Sequence, residues 1–169
     1  HDALAFGSDC VTGKYQPLPG RGSCEECGAG KYGTAAGAHN ESTACLACPV
    51  GHAQAASGGS SCPSCAAGQF QDAVGQLLCK KCAKGFAVNT PASQGCTACA
   101  LMTYVDAEGA LLCKACPELS FTATAGKSAC ETCPDGQFAV SASGSSLECD
   151  SCPLGMYASG VVCKNCAAG

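Results

Sequence analysis

Tryptophan and isoleucine are absent from this 169-residue chain, methionine occurs twice, and only 5% of residues are aromatic. Val, Leu and Phe number 8, 11 and 5, about 14% of the chain, so the 47% hydrophobic content is mostly Ala and Cys. A globular domain of this length normally buries most of its unfolded surface around one core of large side chains. Such side chains are scarce here. Charge is scarce too: charged residues make up 13% and the net charge is −4. Nine basic residues against 13 acidic ones exclude a polycationic nucleic-acid binder. So modest a net charge also argues against disorder driven by self-repulsion. No apolar run approaches the ~18 residues of a membrane span. Residues 1–9 lack a basic leader and a long apolar stretch, so they do not read as a signal peptide. We find no nucleophile elbow, phosphate loop, metalloprotease motif or supported carboxylate pair, and the chain is expected not to be an enzyme and to need no cofactor.

What is abundant is sulfur. The 19 cysteines are about 11% of the residues, above the level that marks a disulfide scaffold. Such density would be kept reduced in the cytosol, so a secreted or cell-surface setting is expected. Cys10 stands alone and the rest form CxxC pairs, whose first cysteines step by 21, 17, 17, 17, 17, 17, 19 and 14 residues. The chain is therefore an array. Reading forward from the second Cys of each pair, the third position is Gly13, Gly30, Gly51, Gly68, Gly85, Gly136 or Gly155, with Met102 and Leu119 as exceptions. The fifth is Tyr15, Tyr32, Phe70, Tyr104, Phe121, Phe138 or Tyr157, with Ala53 and Ala87 as exceptions. A second glycine precedes the closing Cys at Gly20, Gly58, Gly75, Gly109 and Gly126, with Gly144 and Gly160 as near-equivalents.

This register predicts a lead-in at 1–9, then nine modules at 10–24, 27–45, 48–62, 65–79, 82–96, 99–113, 116–130, 133–149 and 152–163. Residues 164–169 read as the start of a tenth, truncated module. Each module is expected to be a small hairpin. The first glycine sits in a turn, the aromatic opens a strand, and a short apolar strand such as Gln76-Leu77-Leu78 returns to the closing Cys. The aromatics are expected to pack on neighbouring disulfides as a thin continuous core. The predicted fold is small, disulfide-rich and all-β, an elongated rod of tandem hairpins with little or no helix.

Spacing does not prove connectivity. Cys10 opens a full unit without a CxxC partner, which favours bridging each opener to its closer: Cys10–Cys24, Cys27–Cys45, Cys48–Cys62, Cys65–Cys79, Cys82–Cys96, Cys99–Cys113, Cys116–Cys130, Cys133–Cys149 and Cys152–Cys163. Cys166 is then left unpaired in this window. Bridges that cross between units, bridges within each CxxC, and free thiols stay open. A zinc-ribbon reading leaves one CxxC pair unmatched. Thioredoxin-like redox chemistry needs a single CxxC at a helix N-terminus.

The motif Cys133-Pro134-Asp135-Gly136-Gln137-Phe138, followed by Gly and CxxC, resembles the ephrin-receptor-like cysteine-rich repeat. It is also similar to the smallest single-disulfide module of tumour necrosis factor receptor ectodomains, and to tandem repeats in protist surface and appendage proteins. The resemblance covers 10–169 and implies an extracellular location, local disulfides and an elongated form. Such modules serve as receptors, stalks, coats and fibres. The uniform step points to a structural rod in a surface coat, appendage or filament, with self-association or other extracellular chains as partners. A receptor or adhesin ectodomain binding a protein or glycan is the alternative. Of the remaining polar residues, His1, His39 and His52 are isolated, and Glu25, Glu26, Asp106 and Glu108 read as solvated loops. Asn40-Glu41-Ser42 is a candidate N-glycosylation sequon in the longest loop.

Overall fold

A computed structural model describes residues 10–18, 23–141, 146–159 and 161–166. The lead-in at 1–9, the glycines Gly20, Gly144 and Gly160, and residues 167–169 lie outside the described residues.

Each strand begins at the dipeptide ending in the repeat's fifth position, where the chain leaves its glycine turn. Its partner is short because it is the dipeptide inside the next CxxC. Thus β1 (Lys14–Tyr15) pairs with β2 (Glu25–Glu26), and β3 (Lys31–Tyr32) with β4 (Leu46–Ala47). In the same way β5 (Gln69–Phe70) pairs with β6 (Lys80–Lys81), β7 (Phe86–Ala87) with β8 (Thr97–Ala98), and β9 (Thr103–Tyr104) with β10 (Lys114–Ala115). The last two pairs are longer: β11 (Gln137–Ser141) with β12 (Leu147–Ser151), and β13 (Met156–Ser159) with β14 (Val162–Asn165). These are seven separate two-stranded sheets. The two remaining modules keep single antiparallel bridges, His52 to Ser64 and Phe121 to Glu131. One helix, α1 (Glu41–Ala44), is present among the described residues.

The return strand therefore differs from expectation. Leu77, Leu78, Leu111 and Leu112 precede the closing Cys but lie in exposed bends. The bridge fixes the closing Cys beside its opener, so the residues just after it are the ones carried alongside the outgoing strand.

The disulfides run Cys10–Cys24, Cys27–Cys45, Cys48–Cys62, Cys65–Cys79, Cys82–Cys96, Cys99–Cys113, Cys116–Cys130, Cys133–Cys149 and Cys152–Cys163, with Cα–Cα separations of 5.4 to 5.8 Å. Cys166 is a free, exposed thiol. Opener cysteines form the interior: Cys10, Cys27, Cys48, Cys65, Cys82 and Cys99 are all at most 3% exposed. The aromatics do not form a continuous core. Tyr15 and Phe121 are buried, Tyr32, Phe70, Tyr104 and Phe138 are half-buried, and Tyr157 is exposed.

Two compact bodies divide the chain, one of His1–Lys80 with Thr90–Gly95, the other of Lys81–Asn89 with Cys96–Gly169. The same hydrogen bonds knit neighbouring modules inside each. In the first body the backbone N–H groups of Gly37, Gly58, Gly75 and Ala92 donate to the opener carbonyls of Cys10, Cys27, Cys48 and Cys65 in the preceding module. In the second, Gly109 and Gly126 donate to Cys82 and Cys99. A parallel set ties the sixth position of one module to the eleventh of the next: Gln16 to Ala38, Gly33 to Gly59, Gln54 to Gln76 and Gln71 to Ser93, then Val88 to Ala110 and Val105 to Lys127. Each bond contributes on the order of 1 kcal/mol net.

Modules also touch their next-but-one neighbour. A Cβ on Gly13 would lie 2.1 Å from the Gly58 carbonyl oxygen, and one on Gly30 2.2 Å from that of Gly75. Gly51 meets Ala92 and Gly85 meets Gly126 in the same way, at 2.1 and 2.0 Å. These glycines also have positive φ, 77° at Gly51 and 84° at Gly85. The first glycine of the repeat is thus required twice, by its own left-handed turn and by a backbone two modules on.

Candidate functional site

One residue that helps to close a module was not singled out in the sequence. It is the sixth position after the opener. Gln71 there is 1% exposed; its Nε2 donates to the Leu78 carbonyl at 2.7 Å, and its Oε1 accepts from Ala73 N–H at 3.2 Å. Gln54 makes the equivalent pair, to the Ser61 carbonyl at 2.9 Å and from Ala56 N–H at 3.2 Å. Such a glutamine spans its own loop and satisfies the backbone groups that the turn leaves unpaired. The shared spacing of Gln16, Gln54 and Gln71 was the available signal. It is weak because Val88, Val105 and Thr122 occupy the same place in later modules.

The surface mixes exposed apolar side chains such as Leu78, Leu112 and Leu154 with ion pairs. Lys80 reaches Asp72 at 2.6 Å and lies 5.7 Å from the Phe70 ring centroid. Lys114 reaches Asp106 at 3.1 Å in the matching positions of a later module. The hydrogen bond from each lysine holds its aspartate below the usual carboxylate range, and raises the Lys114 ammonium. Lys14–Glu26 and Lys31–Glu41 are further exposed pairs. Burial, then the hydrogen bond to Glu25, pushes the Tyr15 phenol up.

Two surface clefts are built from matching repeat positions. In the first body, Tyr32, Thr34, Pro49, His52, Ser60 and Ser61 line a cavity of about 250 Å³. In the second, Tyr104, Asp106, Pro117, Ser120, Ser128 and Ala129 occupy those places around about 460 Å³, with Glu118 beside them. Each cleft pairs the aromatic of one module with the proline that follows the next opener. A third hollow of about 290 Å³ has Leu119, Pro134, Asp135 and Gln137 in its wall. These are shallow, open surfaces suited to contact and not to enclosing a reacting group.

The sequence-derived candidates scatter. His52 Nδ1 lies 3.1 Å from the Val50 carbonyl, while His39 is on an exposed loop and His1 lies outside the described residues. Glu25 and Glu26 form β2, and Asp106 is taken up by Lys114. Among the described residues, no group of three or more His, Cys, Asp or Glu side chains is arranged to hold a metal ion. Sulfurs bridged in pairs are not thiolate ligands. No helix among the described residues is long and apolar enough to cross a membrane. Asn40 is exposed and caps α1, accepting from Ser42 N–H at 2.9 Å.

Small hairpins stapled by local disulfides define a class: the cysteine-rich repeat modules of extracellular proteins. Within that class the chain belongs to the family described as tyrosine-protein kinase ephrin type A/B receptor-like, whose model matches residues 6–43, 53–95 and 85–129. That module is receptor-like and non-catalytic. Comparison with curated proteins finds no match to this chain.

Proposed function

We propose that the chain is an extracellular structural repeat protein, a disulfide-laddered rod serving in a surface coat, appendage or filament. The observation that carries this reading is the recurrence of one hydrogen-bond set, from the N–H ten residues after an opener (Gly37, Gly58, Gly75, Ala92, Gly109, Gly126) to the carbonyl of the opener before it, through six successive modules. A chain bonded this way resists local opening, because each loop is stapled and also tied to its neighbours. Oxidised cysteines at this density fit a secreted or cell-surface location. Two-stranded sheets have outer strand edges, of which Phe70 in β5 already bridges Ser93 of the next module, and short Ala, Gly and Ser side chains allow other chains to approach the rest. Self-association or contact with other extracellular structural chains is the partner relation this favours.

The test is electron microscopy of the purified, oxidised chain together with its small-angle scattering. An elongated particle that assembles into filaments or lateral arrays is expected. A compact monomer that stays monomeric at high concentration would defeat the reading. A receptor or adhesin ectodomain is the second reading, and the paired Tyr–Pro clefts favour it. Binding of a soluble protein or glycan that Tyr104→Ala abolishes, without loss of fold, would select it.

A further inference from the structure

The second module is the one whose bridge spans 18 residues, where its inner neighbours span 14. The excess equals the four residues of α1, Glu41–Ala44. An insertion into a repeat is displayed on its outer face, where function concentrates. This one carries Asn40-Glu41-Ser42, the chain's one Asn-x-Ser/Thr sequence. We propose that Asn40 carries an N-linked glycan, a proposal that rests on the extracellular reading above.

Asn40, Glu41, Ser42 and Thr43 are exposed, while Ala44 is 4% exposed and packs with Tyr15, Cys27 and Cys45. The insertion is therefore anchored from below and open from above. Its polar groups are arranged for transfer to the amide nitrogen. Asn40 Oδ1 accepts from both Ser42 N–H and Ser42 Oγ–H, each at 2.9 Å. Two donors on the carbonyl oxygen polarise the amide, and the contact is local enough to form in a short stretch of chain. The helix cap uses only Oδ1, so a sugar on Nδ2 leaves the cap intact. In the transfer, Nδ2 bonds to the anomeric carbon of an oligosaccharide carried on a lipid pyrophosphate. The bond from that carbon to the phosphate oxygen breaks, Nδ2 gives up one proton to solvent, and the lipid pyrophosphate leaves with the bonding electrons; no oxidant or reductant takes part.

The experiment is secretion of the wild-type chain from a eukaryotic cell, with intact-mass analysis before and after peptide N-glycosidase. A single glycan is expected, and its enzymatic removal converts the Asn40 amide to a carboxylate. Asn40→Gln and Ser42→Ala both abolish the added mass, while Thr43→Ala keeps it. Ser42→Ala retains its backbone N–H for the cap, so an unchanged thermal midpoint separates loss of the sugar from loss of the fold. A secreted, fully oxidised chain with unmodified Asn40 overturns the proposal and leaves the extracellular reading standing. A sugar that persists in Asn40→Gln also overturns it, by placing the glycan on another side chain. A reduced chain retained inside the cell overturns both readings.

Discussion

Modules between residues 10 and 130 and those between 133 and 166 share a motif but differ in how they are held. In the earlier stretch the openers through Cys99 are buried and strands are two residues long. Neighbours supply what each hairpin lacks. In the later stretch Cys133 and Cys152 are half-buried, and the hairpins lengthen to five and four residues per strand. A Cβ on Gly136 or Gly155 would meet nothing within 4 Å, whereas one on Gly85 would meet backbone at 2.0 Å. The later hairpins have longer ladders of their own, with Leu147 N–H still donating to the Ala123 carbonyl of the preceding module at 2.9 Å, and the earlier ones depend more on one another. The difference teaches that the repeat glycine has two separable duties.

Met102 and Leu119 mark the changeover. Both replace that glycine, both keep positive φ (63° and 71°), and both expose their side chains. Their next-but-one modules are 133–149 and 152–163, the ones whose bridges span 16 and 11 residues in place of 14. Each carries a side chain in the exposed left-handed turn that glycine occupies in the other modules. At the same place a backbone acceptor gives way to a side chain: Met102 N–H donates to Thr122 Oγ1 at 2.9 Å.

The largest effect should come from the bridges. Replacing Cys65 and Cys79 together by Ala should cost about 3 kcal/mol or more, from lost loop constraint plus a buried sulfur. The same change at Cys152 and Cys163 should cost clearly less, because the sulfur there is less buried. Urea midpoints would measure both, and equal losses would break the contrast. Next comes Gly85→Ala against Gly136→Ala. The second should cost only the left-handed penalty of about 1–2 kcal/mol. The first should add a clash worth roughly 1–3 kcal/mol more. Thermal melting that ranks them equally would remove the second duty of the glycine.

Smaller still, Met102→Gly and Leu119→Gly should each stabilise by about 0.5–1 kcal/mol, since strain relief slightly exceeds the entropy that glycine loses. A loss of stability would mean that these side chains pack in a way their exposure hides. The smallest effect is on pH. Asp72 and Asp106 have lowered pKa values in the fold, so their contribution is present above the ordinary carboxylate pKa of about 4 and fades as pH falls through the lowered values. Because both pairs are exposed, this acid loss should be slight and should shrink further in high salt; comparing Asp72→Asn with wild type across the acid limb would measure it.

Hairpins with local staples were legible because the constraints that make them lie within one repeat. A cysteine every module, a glycine three residues on and an aromatic two further appear as identities at a 17-residue step. The buried sixth position was not legible. Gln16, Gly33, Gln54, Gln71, Val88 and Val105 differ chemically, yet all donate the same backbone N–H to the next module. A contact made by atoms common to every residue leaves no side-chain signature. The mistaken return strand has a related cause, since Leu77 and Leu78 read as apolar β-formers although the bridge carries the strand past them.

By itself, then, the sequence determined that this chain is held by sulfur, that it repeats, and that it is built of short hairpins, because each of these rests on residue identity at short range. Only the tertiary structure decided which surfaces of the hairpins meet. It put the first glycine against a backbone two modules away, gathered the opener sulfurs inside, and left Met102 and Leu119 exposed in their left-handed turns. Those outcomes depend on loop lengths and backbone geometry summed over about 40 residues of chain, Gly51 to Ala92 or Gly85 to Gly126, and no single motif records them.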